Sequence, residues 1–297
     1  MLRIAALSLG LCLCVPAWAD TDCPRNFAAG QPPTITNPKL QPRTREACFE
    51  TFAVLHSGLS RTPLYSAEHL TRPNLEEAKM LSRRDSYHAE STLPVRDRAE
   101  LSDYAHSGYD RGHMSPNADM PTRSAQAQSF TLANMVPQVH VNNAGVWAGI
   151  EAAVRQLAME EGDLYVVTGP AFIGNAISRV GNVLVPTHLW KMIYSPAQQR
   201  AGVYLITNDE THAYTAMSVS QLQQLVGVNA LPGVSQKIRD GGMDLPPAGK
   251  SARKKKRHRS DAVIARSDAR TTEDSDGFTL RTVSRSILDI LKRVGQP

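Results

Sequence analysis

After its first residues, this chain never reaches the roughly 18 consecutive apolar positions that a membrane-spanning helix needs. A helical membrane protein is therefore excluded, and no membrane partner is expected. Cysteine is scarce, four in 297 residues, and none sits in a short-spaced Cys/His cluster of the kind that holds structural zinc. There is no Gly-x-Ser-x-Gly elbow and no His-Glu-x-x-His, so the common serine-hydrolase and zinc-protease signatures are missing. Gly249-Lys250-Ser251 ends like a phosphate-binding loop, but Asp244 stands where that loop needs its first glycine. No internal repeat is present.

What is present begins with an address. Arg3 precedes an apolar run from Ile4 to Val15, and Ala17-Trp18-Ala19 has the small-x-small form of a signal-peptidase site. The pattern predicts cleavage after Ala19 and export, to the periplasm or beyond the cell. Cys12 and Cys14 would leave with the peptide. Neither follows a small residue, so no lipid anchor is expected. Cys23 and Cys48 remain, either as free thiols or as a bridge, and an oxidising compartment favours the bridge.

Charge is unevenly spread. Without Arg3 the mature chain has 32 basic and 28 acidic residues. Seven of the positives lie between Lys250 and Arg259 with no negative among them, so the remainder carries a net charge of −3. An acidic ligand of the folded core must then be met by local clusters.

The organisation reads as α+β. Residues 20–63 are polar and rich in Pro and Thr, and read as an extended lead-in; residues 64–240 read as the main domain. Ser66 to Arg83 has Leu70, Leu75, Ala78 and Leu81 at roughly helical spacing. A long helix is predicted from Ala144 to Glu161, with Val146, Trp147, Ile150, Val154 and Leu157 on one stripe and Gly162 as its stop. Strands are predicted over Leu164–Thr168, Val183–Tyr194 and Val203–Thr207, then a helix capped by Ser220 and running through Val226. From Gly241 to Gly277 the composition is that of a basic, disordered linker. Residues 278–297 recover helical periodicity.

The chemistry concentrates in two blocks. Tyr109-Asp110-Arg111-Gly112-His113-Met114 packs a carboxylate, a guanidinium and an imidazole around a glycine. An imidazole titrates near neutral pH and can deprotonate a water. A guanidinium matches phosphate oxygens bidentately, which makes Arg111 a candidate substrate contact. Taken alone, the block also fits a surface loop with a hydrogen-bonded histidine. The second block is Asn134-Met135-Val136-Pro137-Gln138, with Asn142-Asn143 and Glu151 following. Asn143 precedes the long helix, where its ordinary role is an N-cap. Glu151, eight residues on, could be a solvated carboxylate paired with Arg155. An amide at the helix start and a carboxylate further along would also suit magnesium, which keeps several waters and takes few protein ligands.

Together these blocks resemble the DNA/RNA non-specific endonuclease family of the ββα-metal superfamily, over roughly Leu64 to Leu231. The resemblance implies a ββα-metal core with a central antiparallel sheet and flanking helices. It also implies a Mg²⁺-dependent endonuclease, with Mn²⁺ a possible substitute, that cuts DNA and RNA without sequence preference. By the same resemblance His113 is the general base, Asn143 the direct metal ligand and Glu151 the holder of a metal-bound water. Asn134 would help to position the histidine and the substrate. A family arginine that precedes an aromatic and an acidic residue maps to Arg83, with Tyr87, Glu90 and Pro94 following and Arg84 adjoining. Asp110 is structural or catalytic. Two other readings stay open: a non-catalytic nucleic-acid-binding or uptake protein, and a phosphodiesterase for another phosphoester. The basic run is a solvated tail or an auxiliary nucleic-acid arm.

Overall fold

The computed structural model describes residues 21–211 and 213–248. The expected signal peptide, the basic run and the final helix lie outside the described residues. In chain order the main strands are β1 (Thr44–Cys48), β2 (Phe52–Ser57), β3 (Thr62–Thr71), β4 (Asp110–His113), β5 (Met135–Gln138), β6 (Asp163–Ala171), β7 (His188–Ser195), β8 (Arg200–Thr207) and β9 (Tyr214–Met217). The main helices are α1 (Arg72–Lys79), α2 (Arg123–Ser129), α3 (Ala148–Glu161) and α4 (Val219–Val226). Seven strands form one antiparallel sheet in the order β9-β8-β7-β6-β3-β2-β1, and β4 and β5 form a separate hairpin.

The sheet is covered on both faces. Along β7, Leu189 and Ile193 pack with Trp147, Ile150 and Val154 of the α3 side, while Trp190 and Met192 pack with Leu222 of α4 and Val203. This is the strand alternation of a two-sided core. Trp147 is 1% exposed, so its truncation to alanine would cost about 3–5 kcal/mol.

Several expectations change here. The lead-in is part of the domain: β1 and β2 extend the sheet, and Phe52, Ala53 and Val54 are fully buried. Its polar look comes from β1, an edge strand with mostly exposed positions. The helix expected from Ser66 is the second half of β3; the helix begins only at Arg72, where the Thr71 hydroxyl accepts from the Asn74 amide and Pro73 fills the first turn. A strand buried on both faces shows no polar alternation, so Leu70, Leu75 and Ala78 mimic a helical stripe across the junction. The strand expected over Val183–Tyr194 is broken. Val183–Leu184 pairs back on Arg179–Val180, and β7 starts beyond Pro186. Helix α4 is capped by Ser218 rather than Ser220, in a capping box with Gln221.

The linker boundary near Gly241 also moves. Leu245 and Ala248 pack on the α3-side core, Met243 and Leu245 lie against Gly202, and the Tyr204 hydroxyl donates to the Pro246 carbonyl. Residues 243–248 thus form a strap over β8. Cys23 and Cys48 form the expected disulfide, which fastens the N-terminal segment to β1. No described helix is long and apolar enough to cross a membrane.

Candidate active site

The β4–β5 hairpin leads directly into the long helix. In its register Asp110 faces Gln138 and His113 faces Met135. Gly112 is required where it stands, because a Cβ there would collide with the Gln138 side chain. The chain then passes through a helical turn, His140–Asn142, and a widened turn, Asn143–Trp147, before α3. Gly145 carries the distortion, with φ −103° and ψ −106°. Widened turns of this kind concentrate at functional sites.

This places Asn143 differently from an N-cap. Its own dihedrals are helical (φ −59°, ψ −52°), and its Nδ2 donates to Asp110 Oδ2 at 2.8 Å. His140 Nδ1 donates to the same oxygen at 2.9 Å. The neighbouring Asn142 is buried, accepts from Gln138 Nε2 and donates to the Thr207 carbonyl, so the hairpin, the helix and β8 are fastened together.

His113 closes the other end of β4. Its ring is 7% exposed and lies edge-on to Phe130 at 4.9 Å, with Tyr87 6.1 Å away. Burial, reinforced by the positive charge of Arg83, pushes the imidazole down to about 3. Its Nε2 is buried without a hydrogen-bond partner among the described residues. Of the adjacent arginines it is Arg83 that reaches this cluster. Its guanidinium lies 5.3 Å from the Phe130 ring centre, donates to the Tyr87 hydroxyl at 3.1 Å and pairs with Asp85 at 2.6 Å. Among the described residues Arg84 contributes only its backbone amide, to Gln126. Arg111 stacks on the Tyr87 face at 4.3 Å. Tyr87 therefore holds both guanidiniums beside His113. Glu90 is buried and accepts from the hydroxyls of Thr92 and Thr131, which pins this loop against the segment beyond Phe130.

Asn134 is fully buried. Its Nδ2 donates to the carbonyls of Ser115 (2.8 Å) and Ser129 (3.0 Å), and its Oδ1 accepts from the Ser115 amide (3.0 Å). Its side chain is spent on locking the backbone just after His113. Glu151, half-buried on α3, lies near Lys191, Arg155 and Asp119; burial pushes its carboxyl up to about 7, against the pull of the two cations. Arg155 is not its partner, since it donates to Asp119 at 2.8 Å. Beneath α3, buried Lys191 donates to Thr168 Oγ1 (2.7 Å) and to the Met114 carbonyl (3.3 Å), and lies 5.4 Å from the Trp147 ring centre. Sequence reading missed Phe130, His140 and Lys191. None stands inside a motif, and only folding brings them to one.

Comparison with known proteins agrees with the geometry. The model of the DNA/RNA non-specific endonuclease family matches residues 31–237, well over half of the chain. A nuclease of Nostoc sp. is 31% identical over 228 residues, covering 70% of this chain and 81% of its own. Nuclease C1 of Cunninghamella echinulata is 32% identical over 185 residues, 57% of this chain and 73% of its own. Among solved structures, a chain from the EndoG/EndoGI complex, described as showing the mechanism of EndoG inhibition, superposes with a TM-score of 0.62 at 21% identity. It covers 69% of this chain and 92% of that one, and shares the ββα-metal fold. The protein belongs to the DNA/RNA non-specific endonuclease family.

Proposed function

We propose that this protein is an exported, Mg²⁺-dependent endonuclease that hydrolyses internal phosphodiester bonds of DNA and RNA without sequence preference, with His113 as general base. The observation that carries the reading is the hairpin itself. Asp110 and His113 sit three residues apart on β4, about 10 Å along the strand, and Asp110 holds Asn143. A candidate base and a candidate cation ligand are thereby carried by one short strand pair and the helix that follows it.

The residues suit a hard cation. With Nδ2 committed to Asp110, the Asn143 amide is left with Oδ1 as an acceptor. Asn143 would hold Mg²⁺ directly and Glu151 through water, a sparse oxygen set of the kind magnesium accepts. When bound, the cation supplies positive charge to the phosphate oxygens as they gain negative charge. Mn²⁺ would be accepted by the same set.

The protein side chains do the rest. Neutral at physiological pH, His113 takes a proton from the water that attacks phosphorus; the bond from phosphorus to the leaving sugar oxygen breaks, and that oxygen takes up a proton from solvent. Arg83 and Arg111, both held against Tyr87, would grip phosphate oxygens. Asn134 keeps His113 in register through the Ser115 backbone. None of these contacts selects a base, which suits cleavage without sequence preference.

The test is plasmid nicking and RNA degradation by the mature protein, with Mg²⁺, with Mn²⁺ and with chelator. Cleavage of both polymers that chelator abolishes is the expected result; metal-independent cleavage, or binding without turnover, would overturn the reading.

A further inference from the structure

Beside the His113 cluster lies a groove of about 510 Å³, between the end of α1, the turn Asn117–Asp119 and the outer face of α3. It shares Arg83 with the candidate site. Arg83 lines it, Ala152 follows Glu151, and Asn117 stands four residues after His113. Its polar lining is three cations, Lys79, Arg83 and Arg155, and three amides, Asn117, Gln126 and Gln156, with no carboxylate.

These groups are not equally free. Arg155 is held by Asp119 and Arg83 by Asp85, while Gln126 accepts from Arg123 and from the Arg84 amide, and Gln156 donates to Glu160. Lys79 is exposed and pairs with no carboxylate among the described residues; the half-buried Asn117 side chain makes no hydrogen bond among them. Next to Lys79, Met80 is 81% exposed and offers a polarisable thioether to an aromatic face. The volume lies within the roughly 300–1,000 Å³ range of cavities that seat small organic ligands. A cationic trough of that size, sharing Arg83 with the proposed phosphodiester site on a core whose net charge is negative, fits a polyanionic strand better than an isolated anion.

We infer that this groove is the subsite for the nucleotides that flank the scissile phosphate on one side, with Lys79 meeting a backbone phosphate and Asn117 the adjoining sugar or base. The inference rests on the proposed endonuclease function. It assigns Lys79 and Asn117 as substrate-positioning residues, and it makes cleavage efficiency depend on substrate length.

The experiment compares the mature protein with K79E, N117A and a charge-matched control, K237E, which lies by Ile238 on the opposite, α4 side of the sheet. Binding of a fluorescent single-stranded thymidine oligonucleotide is followed by anisotropy in chelator across a salt series. In parallel, kcat/KM is measured with Mg²⁺ on that oligonucleotide and on a thymidine dinucleotide. Loss of one phosphate contact on a single strand lowers the slope of log K against log salt by about 0.7. K79E should show that fall and K237E should not. K79E and N117A should both reduce the ratio of kcat/KM between oligonucleotide and dinucleotide. If K79E matches K237E in salt slope, or if both substrates lose efficiency equally, the groove is not the subsite, although a wild-type protein that cleaves both keeps its proposed function. If the wild type also fails to nick plasmid and degrade RNA, that function fails, while the anisotropy arm still decides whether the groove binds a strand.

Discussion

The side-chain amide of Asn143 donates to the carboxylate of Asp110 at 2.8 Å, and this single bond orients the amide. A carboxylate can only accept, so Nδ2 faces Asp110 and Oδ1 faces away. His140 holds the same carboxylate oxygen from the other side. The motif aspartate is thus an orienting group, one step removed from the proposed cation.

Asp110→Asn should weaken apparent Mg²⁺ affinity by about 10–100-fold, the usual cost of losing a partner that orients a ligand. Asn143→Ala should weaken it further. Both are read from the Mg²⁺ dependence of nicking. A titration of Asn143→Ala that overlays the wild type would remove that residue from the metal site.

His113→Ala should keep the fold and lose at least about 10²–10⁴ in rate, the share that general-base catalysis supplies. Near-normal nicking by the folded variant would end the assignment.

The same histidine affects stability against acid. Its folded value, about 3, is below the ordinary histidine value of 6.5, so below pH 6.5 the unfolded chain binds a proton that the folded chain refuses. Stability therefore falls as pH drops from about 6.5 toward 3, by up to about 1.4 kcal/mol per pH unit for this group. His113→Asn removes that contribution. Its loss of stability between pH 6 and 4, measured by denaturant melts, should be shallower than the wild type's, and parallel curves would refute the burial argument. His56, also buried and pushed down by burial, keeps part of the slope in both proteins.

The disulfide closes a separation of 25 residues. Its loss in the double serine variant of Cys23 and Cys48 should cost about 3 kcal/mol in the chain-entropy picture. Intact mass should lie about two daltons below the reduced form; full alkylation of Cys23 and Cys48 without reductant would show free thiols in place of the bridge.

The strap separates two roles within the C-terminal region. Removing residues 249–297 leaves Leu245 and Ala248 docked on the core. Removing residues from 242 onward uncovers the β8 face at Gly202 and Tyr204 and should lower stability by about 1–3 kcal/mol. If the seven positive charges of Lys250–Arg259 act as a nucleic-acid arm, the shorter truncation also binds DNA with a shallower salt slope. Replacing Lys254, Lys255, Lys256, Arg257 and Arg259 with Ser isolates that effect; an unchanged slope marks the run as a solvated tail.

Features that depend on neighbours along the chain were legible without the fold. The Asp110–His113 block, the Asn134–Gln138 block and the Asn143 to Glu151 spacing identified the family, because motif residues and their order are read directly along the chain. The α3 helix was legible for the same reason, and the cysteine pair by simple counting. The rest depended on contacts between residues distant in sequence. β1 to β3 carry no alternation of their own, since their pattern depends on which neighbours cover each face. Arg83 is distinguished from Arg84 only by Phe130 and Tyr87, which lie beyond the reach of any local pattern. Asp110 becomes an orienting group because the helix folds back on the hairpin, and Asn134 a backbone lock because Ser115 and Ser129 converge on it. The strap is invisible in composition, because its few apolar residues matter only where β8 receives them. Local periodicity encodes an element; partners distant in sequence assign its side chains their work.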